Sequence, residues 1–227
     1  MRAYKLTDAA GQTHGETPWG PGVTHEAKPG RGPLCSDRWI HCYADPLMAV
    51  FMNPVHAGFE HPLLWECEAS GGLCDDRGLK FGAKRVTTIR TIPLPVLTLE
   101  QRITAAIYLG QAGMESVPEM RVRHWESWAD GWLTGADRSE VGAARTAQFT
   151  GDRGLWSAYH SAEAARLAAQ FTGNSAEYAA ECAARSAEAI RFARDVFFAP
   201  SAEYRTWLAN FPSLVLLCLY AAAEGVQ

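Results

Sequence analysis

The sequence predicts an α+β protein: a small mixed or antiparallel β-containing part over residues 1–97, packed on an all-helical, alanine-rich part over residues 98–227. Three observations carry this reading. Most of the glycine and proline lies before residue 97, between short β-prone segments, the pattern of strands bounded by turns. After it, apolar residues recur at helical spacing behind recognisable caps. Finally, "AQFTGDRGLWSAYHSAEAARLA" from Ala147 aligns with "AQFTGNSAEYAAECAARSAEAI" from Ala169, a 22-residue repeat spanning 147–190.

In the first part, Ala3–Leu6, Trp39–Tyr43, Leu63–Ala69, Leu79–Ala83 and Arg85–Ile92 read as strands. Alternation along Trp39–Tyr43 sends Ile40 and Cys42 to the core and Trp39, His41 and Tyr43 to the opposite face. Asp45 then serves as an N-cap, with Pro46 at the first helical position, where its missing N–H is no loss. Leu47, Met48, Val50 and Phe51 form a short buried helix expected to stop before Pro54, because proline disfavours the helical conformation of the residue preceding it. Upstream, "WGPGVTHEA" reads as a glycine–proline turn that delivers His25 and Glu26 into a loop.

The second part opens with "TLEQ", a capping box in which Thr98 and Gln101 satisfy each other's backbone amides. Gly110 and Gly113 are expected to end this helix. Pro118 suits the start of the next, where Val122, Trp125, Trp128, Ala129 and Trp132 form one stripe, read as the surface that docks the two halves or, alternatively, as an aromatic ligand platform. In the repeat, Gly151 and Gly173 supply positive-φ helix ends, Asp152 and Asn174 are the caps, and Trp156 and Tyr178 are equivalent. The resulting hairpin is extended by Arg191–Phe198 and followed by helices around Ala202–Leu208 and Ser213–Ala223, which Pro200 and Pro212 separate.

Composition removes several function classes. With 48% apolar residues the chain can bury a core, and a formal charge of −4 gives no general attraction to phosphate backbones or anionic lipid. Nonspecific nucleic-acid binding is therefore disfavoured. The N-terminus lacks the apolar run of a secretory signal, and Leu214–Ala223 is about half the length of a bilayer span. A cytoplasmic protein with no membrane contact is expected, its six cysteines reduced and mostly buried as small hydrophobes.

For chemistry, the donors His25, Cys35, His41, Cys42, His56, His61, Cys67 and Cys74 form no close pair of the kind zinc sites use, so no metal is expected. No cysteine sits at a helix start that would activate it, and glycine-rich phosphate loops are absent. What stays in play is the row Trp39, His41 and Tyr43. Beside it stands "LLWECEA", whose Glu66 and Glu68 lie two apart on one strand face and could stabilise a developing cation; the plain alternative is a solvated strand face.

Taken in order, "YKLTD", "WGPGVTHEA", "RWIHCYADPLMAVF", "LLWECEA" and "GAKRVTTIRTI" resemble a family of uncharacterised phage and prophage domains, over roughly residues 1–97. The element order is also similar to the ADP-ribosyltransferase-like fold, in which a first-strand basic residue, a central Ser/Tyr/His strand and a late glutamate surround NAD. That likeness implies Arg2 or Lys5 for the first position, Ser36, His41 and Tyr43 for the second, and Glu66 or Glu68 for the third. It implies a nucleotide cleft with NAD as cofactor: His41, Glu66 and Glu68 would serve ADP-ribosyl transfer or glycohydrolysis, and His25, Ser36, Trp39 and Tyr43 would hold the nucleotide. Two alternatives stay open: a non-enzymatic protein that binds a host (defence) protein or a second copy of itself through its helical half, and a nucleotide sponge without turnover.

Overall fold

The computed structural model describes residues 1–76, 78–114, 119–152, 155–170, 174–198 and 215–222, and the chain divides into two compact units, Met1–Val96 and Leu97–Gln227. The architecture is α+β: antiparallel strands in the first unit, and six of the seven helices among the described residues in the second.

The first unit runs β1 (Arg2–Thr7), β2 (Gln12–Thr13), β3 (Thr17–Pro18), β4 (Thr24–Glu26), β5 (Ile40–Cys42), α1 (Pro46–His56), β6 (Leu63–Asp75) and β7 (Phe81–Ile92). β6 and β7 form a long hairpin, β1 pairs with β6, and β4 and β5 each pair with β7. The sheet also closes on itself. Just beyond β5, Tyr43 exchanges two backbone hydrogen bonds of 2.8 Å with Tyr4 of β1. Two register shifts in the β6–β7 pairing, one with Ile89 extra on β7 opposite Glu66 and Cys67 and one on β6 after Ser70, provide the bending that closure needs. At the second, Gly71 and Gly72 take φ of 78° and 102°, a region a side chain would resist.

Several boundaries differ from expectation, among them the strand expected at Trp39–Tyr43, which spans Ile40–Cys42. The segments expected at Leu79–Ala83 and Arg85–Ile92 merge into one strand that starts at Phe81, leaving Leu79 and Lys80 outside it, and β6 continues past Ala69, because the hairpin gives both strands partners as far as Asp75 and Phe81. His25 and Glu26 lie in a strand rather than a loop, held against Val86 and Arg85 of β7. Asp45 caps α1 as expected, accepting from the amides of Leu47 and Met48. The helix nevertheless passes through Pro54 to His56. Proline there removes a bond only in the last turn, and Asn53 secures the exit: its carbonyl accepts from Ala57 and Gly58, and its side chain bonds the backbone of Phe59 in both directions.

In the second unit, α2 (Leu99–Met114), α3 (Glu119–Leu133), α4 (Glu140–Gly151), α5 (Trp156–Ala169) and α6 (Ser175–Phe198) precede a last helix over 215–222. The Thr98–Gln101 capping box forms, with bonds of 2.8 and 3.2 Å. Gly110 does not end α2. Instead it seats the indole of Trp125, which a Cβ at that position would meet at 2.7 Å, while Trp125 Nε1 donates to Ala158 O of α5. The tryptophan stripe is thus buried, and Trp125 is spent inside the helical unit. Pro118, Gly173, Pro200, Pro212 and the helix expected at 202–208 lie outside the described residues.

Gly151 keeps helical conformation as the last residue of α4, and Asp152 follows as its C-cap rather than capping α5, whose N-cap position falls to Leu155. The alanine faces do bring helices close: Ser157 of α5 donates directly to the backbone carbonyl of Ser186 in α6, at 3.1 Å. Such an approach requires small residues along the seam, here Ala158, Ala183 and Ala187 among others, all buried.

Candidate functional site

A pocket of about 510 Å³ opens in the first unit where β1, β4 and β5 meet the β2–β3 hairpin and the end of α1. Its size suits a small organic ligand. Each wall is fixed by backbone-directed hydrogen bonds. Trp39 Nε1 donates to Gly32 O at 3.0 Å and His41 Nε2 to Leu34 O at 2.7 Å, tying β5 to the loop before it. Lys84 from β7 reinforces that loop, donating to Gly30 O and Arg38 O at 2.7 Å each while its ammonium lies 3.8 Å from the Trp39 ring centre. Gly82 makes this possible, since a Cβ there would stand 2.6 Å from both Leu34 and Trp39.

On the other side, His25 Nε2 donates to Pro18 O at 2.7 Å and meets Trp19 edge-on at 4.5 Å. His14 donates to Ala57 O at 2.8 Å and stacks on Phe59, and His56 stacks on Tyr43. A carbonyl can only accept, so in His14, His25 and His41 the Nε2 atom carries hydrogen and, in the neutral ring, Nδ1 is left as an acceptor. Burial holds His41 below the ordinary imidazole value, outweighing the bond to Leu34 that favours its charged form, and the ring is neutral near pH 7. Burial likewise pushes the Tyr43 phenol up, so it stays a hydroxyl.

The pocket thus brings together four of the residues singled out from sequence, His25, Trp39, His41 and Tyr43. It leaves out the other three. Tyr4 and Glu66 are cross-strand neighbours, as are Lys5 and Trp65, and strand alternation sends the two pairs to opposite faces. Lys5 lines the pocket; Glu66 is on the far side, where Arg2 and Arg90 clamp it and hold its carboxyl below the usual range. Glu68 shares that face and is exposed. Ser36 is used within its own loop, donating to Pro33 O at 2.7 Å. The acidic groups that do line the pocket are Glu26, near Arg85, and Asp37, paired with Lys28. Of the two first-strand bases, only Lys5 reaches the pocket.

Trp19, His14, His56 and Phe59 also line the pocket, and nothing local in the sequence marks them as a group. Their joining depends on the β2–β3 hairpin meeting the end of α1, a long-range event with no local signature. Lys5 did carry a signal: it alternates with Ala3 in the inward row of a strand, where a lysine needs an explanation. No group of three or more His, Cys, Asp or Glu is arranged to hold a metal ion among the described residues, and no helix among them is long and apolar enough to cross a membrane. No family model, curated protein or solved structure matches this chain.

Proposed function

We propose that the N-terminal unit binds a nucleotide of the NAD or ADP-ribose class in the pocket between β5 and the β2–β3 hairpin. The observation that supports this is the convergence of Trp39, His41, Tyr43 and His25 on one concavity of about 510 Å³. Indole, phenol and imidazole faces suit the stacking of a base or a nicotinamide ring, and fixed polar atoms beside them suit its edges. Binding is the core of the proposal. Glu66 and Glu68 face away, so any glycosidic-bond chemistry would have to use Glu26 or Asp37 as its carboxylate.

The test is thermal melting and calorimetry of the full chain with NAD, ADP-ribose and AMP. A ligand at a hundred times its Kd adds about 2.7 kcal/mol to the stability of the state that binds it. Trp39→Ala and His41→Ala should each abolish the response while leaving far-UV circular dichroism unchanged. Absence of a response to all three nucleotides overturns the proposal.

A second reading, protein binding through the helical unit to a host protein or another copy, is favoured by one observation. Trp156 and Tyr178, equivalent in the 22-residue repeat, are 52% and 57% exposed, although residues of their size are usually covered. Sedimentation of the native chain and of a Trp156→Ala, Tyr178→Ala double variant separates self-association from a monomer.

A further inference from the structure

We propose that Lys5 is an amine nucleophile and that the pocket takes a ligand bearing an aldehyde, held as a reversible imine on Lys5 Nζ. The inference deepens the nucleotide reading and rests on it for the ligand class. Among nucleotides, one that ends in a free ribose, as ADP-ribose does, opens to an aldehyde; NAD, whose ribose is locked in a glycosidic bond, does not.

The geometry is that of an amine kept from water on a side chain that lines the cavity. Lys5 is only 6% exposed and lines the pocket. Among the described residues its Nζ donates one hydrogen bond, to His41 O at 3.1 Å, and lies 4.7 Å from the centre of the Trp19 ring. None of the nearby carboxylates serves it: Glu66 is spent on Arg2 and Arg90 across the sheet, Asp37 on Lys28, and Glu26 faces Arg85. The adjacent groups are the thiols of Cys42 and Cys67, which burial pushes up to about 11 and about 12; protonated near pH 7, they offer no counter-charge. Burial accordingly lowers the Lys5 amine from its ordinary value and favours the form that has a lone pair.

The reaction needs no partner beyond the ligand. The Nζ lone pair attacks the carbonyl carbon, a C–N bond forms, and the C=O π electrons move to oxygen. The two amine hydrogens pass to that oxygen, the C–O bond breaks to release it as water, and the nitrogen lone pair closes the C=N bond. Nothing is oxidised or reduced, and hydrolysis reverses the step. Depressed, desolvated lysines are the ones suited to it.

The chain has four lysines, which makes the test direct. The full-length protein is incubated with pyridoxal 5′-phosphate or with ADP-ribose, reduced with cyanoborohydride, and mapped by peptide mass spectrometry. Lys28, Lys80 and Lys84 are internal references, along with the N-terminus. The Lys5 adduct should form at roughly tenfold the rate of the Lys28 and Lys80 adducts. Lys5→Met should remove it and spare the others. Modification of Lys28 and Lys80 with Lys5 untouched until the chain is denatured would overturn the inference, and this readout uses only the wild-type protein. If ADP-ribose raises the melting temperature but traps no Lys5 adduct, the imine is refuted and the nucleotide pocket stands. If pyridoxal 5′-phosphate traps Lys5 while no nucleotide stabilises the chain, the amine chemistry stands and the nucleotide reading falls.

Discussion

Replacing Lys5 by methionine should make the first unit more stable while removing its chemistry. Methionine fills nearly the same volume with no group that seeks water, so the packing around Trp19 and Trp65 is kept. The loss is one hydrogen bond to His41 O, 3.1 Å long, worth about 1 kcal/mol net. The gain is release from burying an amine with no ion partner among the described residues, which costs about 2–3 kcal/mol for a comparable polar group. Stabilisation of about 1–2 kcal/mol results, a factor of roughly 5–30 in the opening equilibrium.

Cys42 and Cys67, both fully buried beside Lys5, provide the assay. In the full chain their alkylation reports opening of this sheet, whereas a single melting temperature for two units would mix two events. Both thiols should react more slowly in the variant by that factor. The pH dependence sharpens the test. Because the folded-state amine titrates below the ordinary 10.5, the unfolded chain binds the extra proton between the two values, and wild-type stability rises with pH across that window. The advantage of Lys5→Met should therefore shrink as pH climbs toward 10.5. Faster alkylation in the variant, or an advantage that ignores pH, would refute the reasoning.

Three further outcomes follow from particular contacts. Gly82→Ala places a methyl 2.6 Å from Leu34 and Trp39 and should cost about 1–3 kcal/mol, with loss of the nucleotide response, read by the same alkylation assay and by calorimetry. Glu66→Gln should destabilise the sheet at neutral pH and less so in acid. The hydrogen bond from Arg2, then that from Arg90, holds the carboxyl below its ordinary 4.5, so the stability it adds is present above that value and lost as pH falls, and urea melts of the two proteins should converge there. Glu16 is an exposed non-glycine residue at φ 57° in the β2–β3 turn, so Glu16→Gly should leave the pocket intact and stabilise by about 1 kcal/mol, measured by chemical denaturation.

What could be read from the sequence, and what could not, divides by range. The Thr98–Gln101 box and the Asp45–Pro46 start of α1 are local chemistry, and both form as their residues dictate. Alternation sends Cys42 into the core and puts Trp39, His41 and Tyr43 at the pocket, although Ile40 lines it as well. Sequence alternation also puts Glu66 and Glu68 on one face correctly, yet it says nothing about which side of a closed sheet that face becomes. That is decided by the pairing of Tyr4 with Glu66 and by the Tyr4–Tyr43 bridge, contacts spanning 62 and 39 positions of the chain. The same pairing turns Lys5 inward.

An inward lysine with no carboxylate beside it among the described residues conflicts with the stability of the sheet that holds it, and one hydrogen bond to His41 O with the Trp19 ring nearby relieves the conflict only in part. Lys5 could be replaced by methionine with a gain in stability. Positions where local preference and global packing disagree in this way are where function is most often found, because a residue that costs folding energy must be retained for another reason. Trp125 of α3 and the buried Cys42 and Cys67 drew attention by composition alone, and each is accounted for by packing. Lys5 is not, and this is why its amine, rather than the paired glutamates, is the group on which experiments should begin.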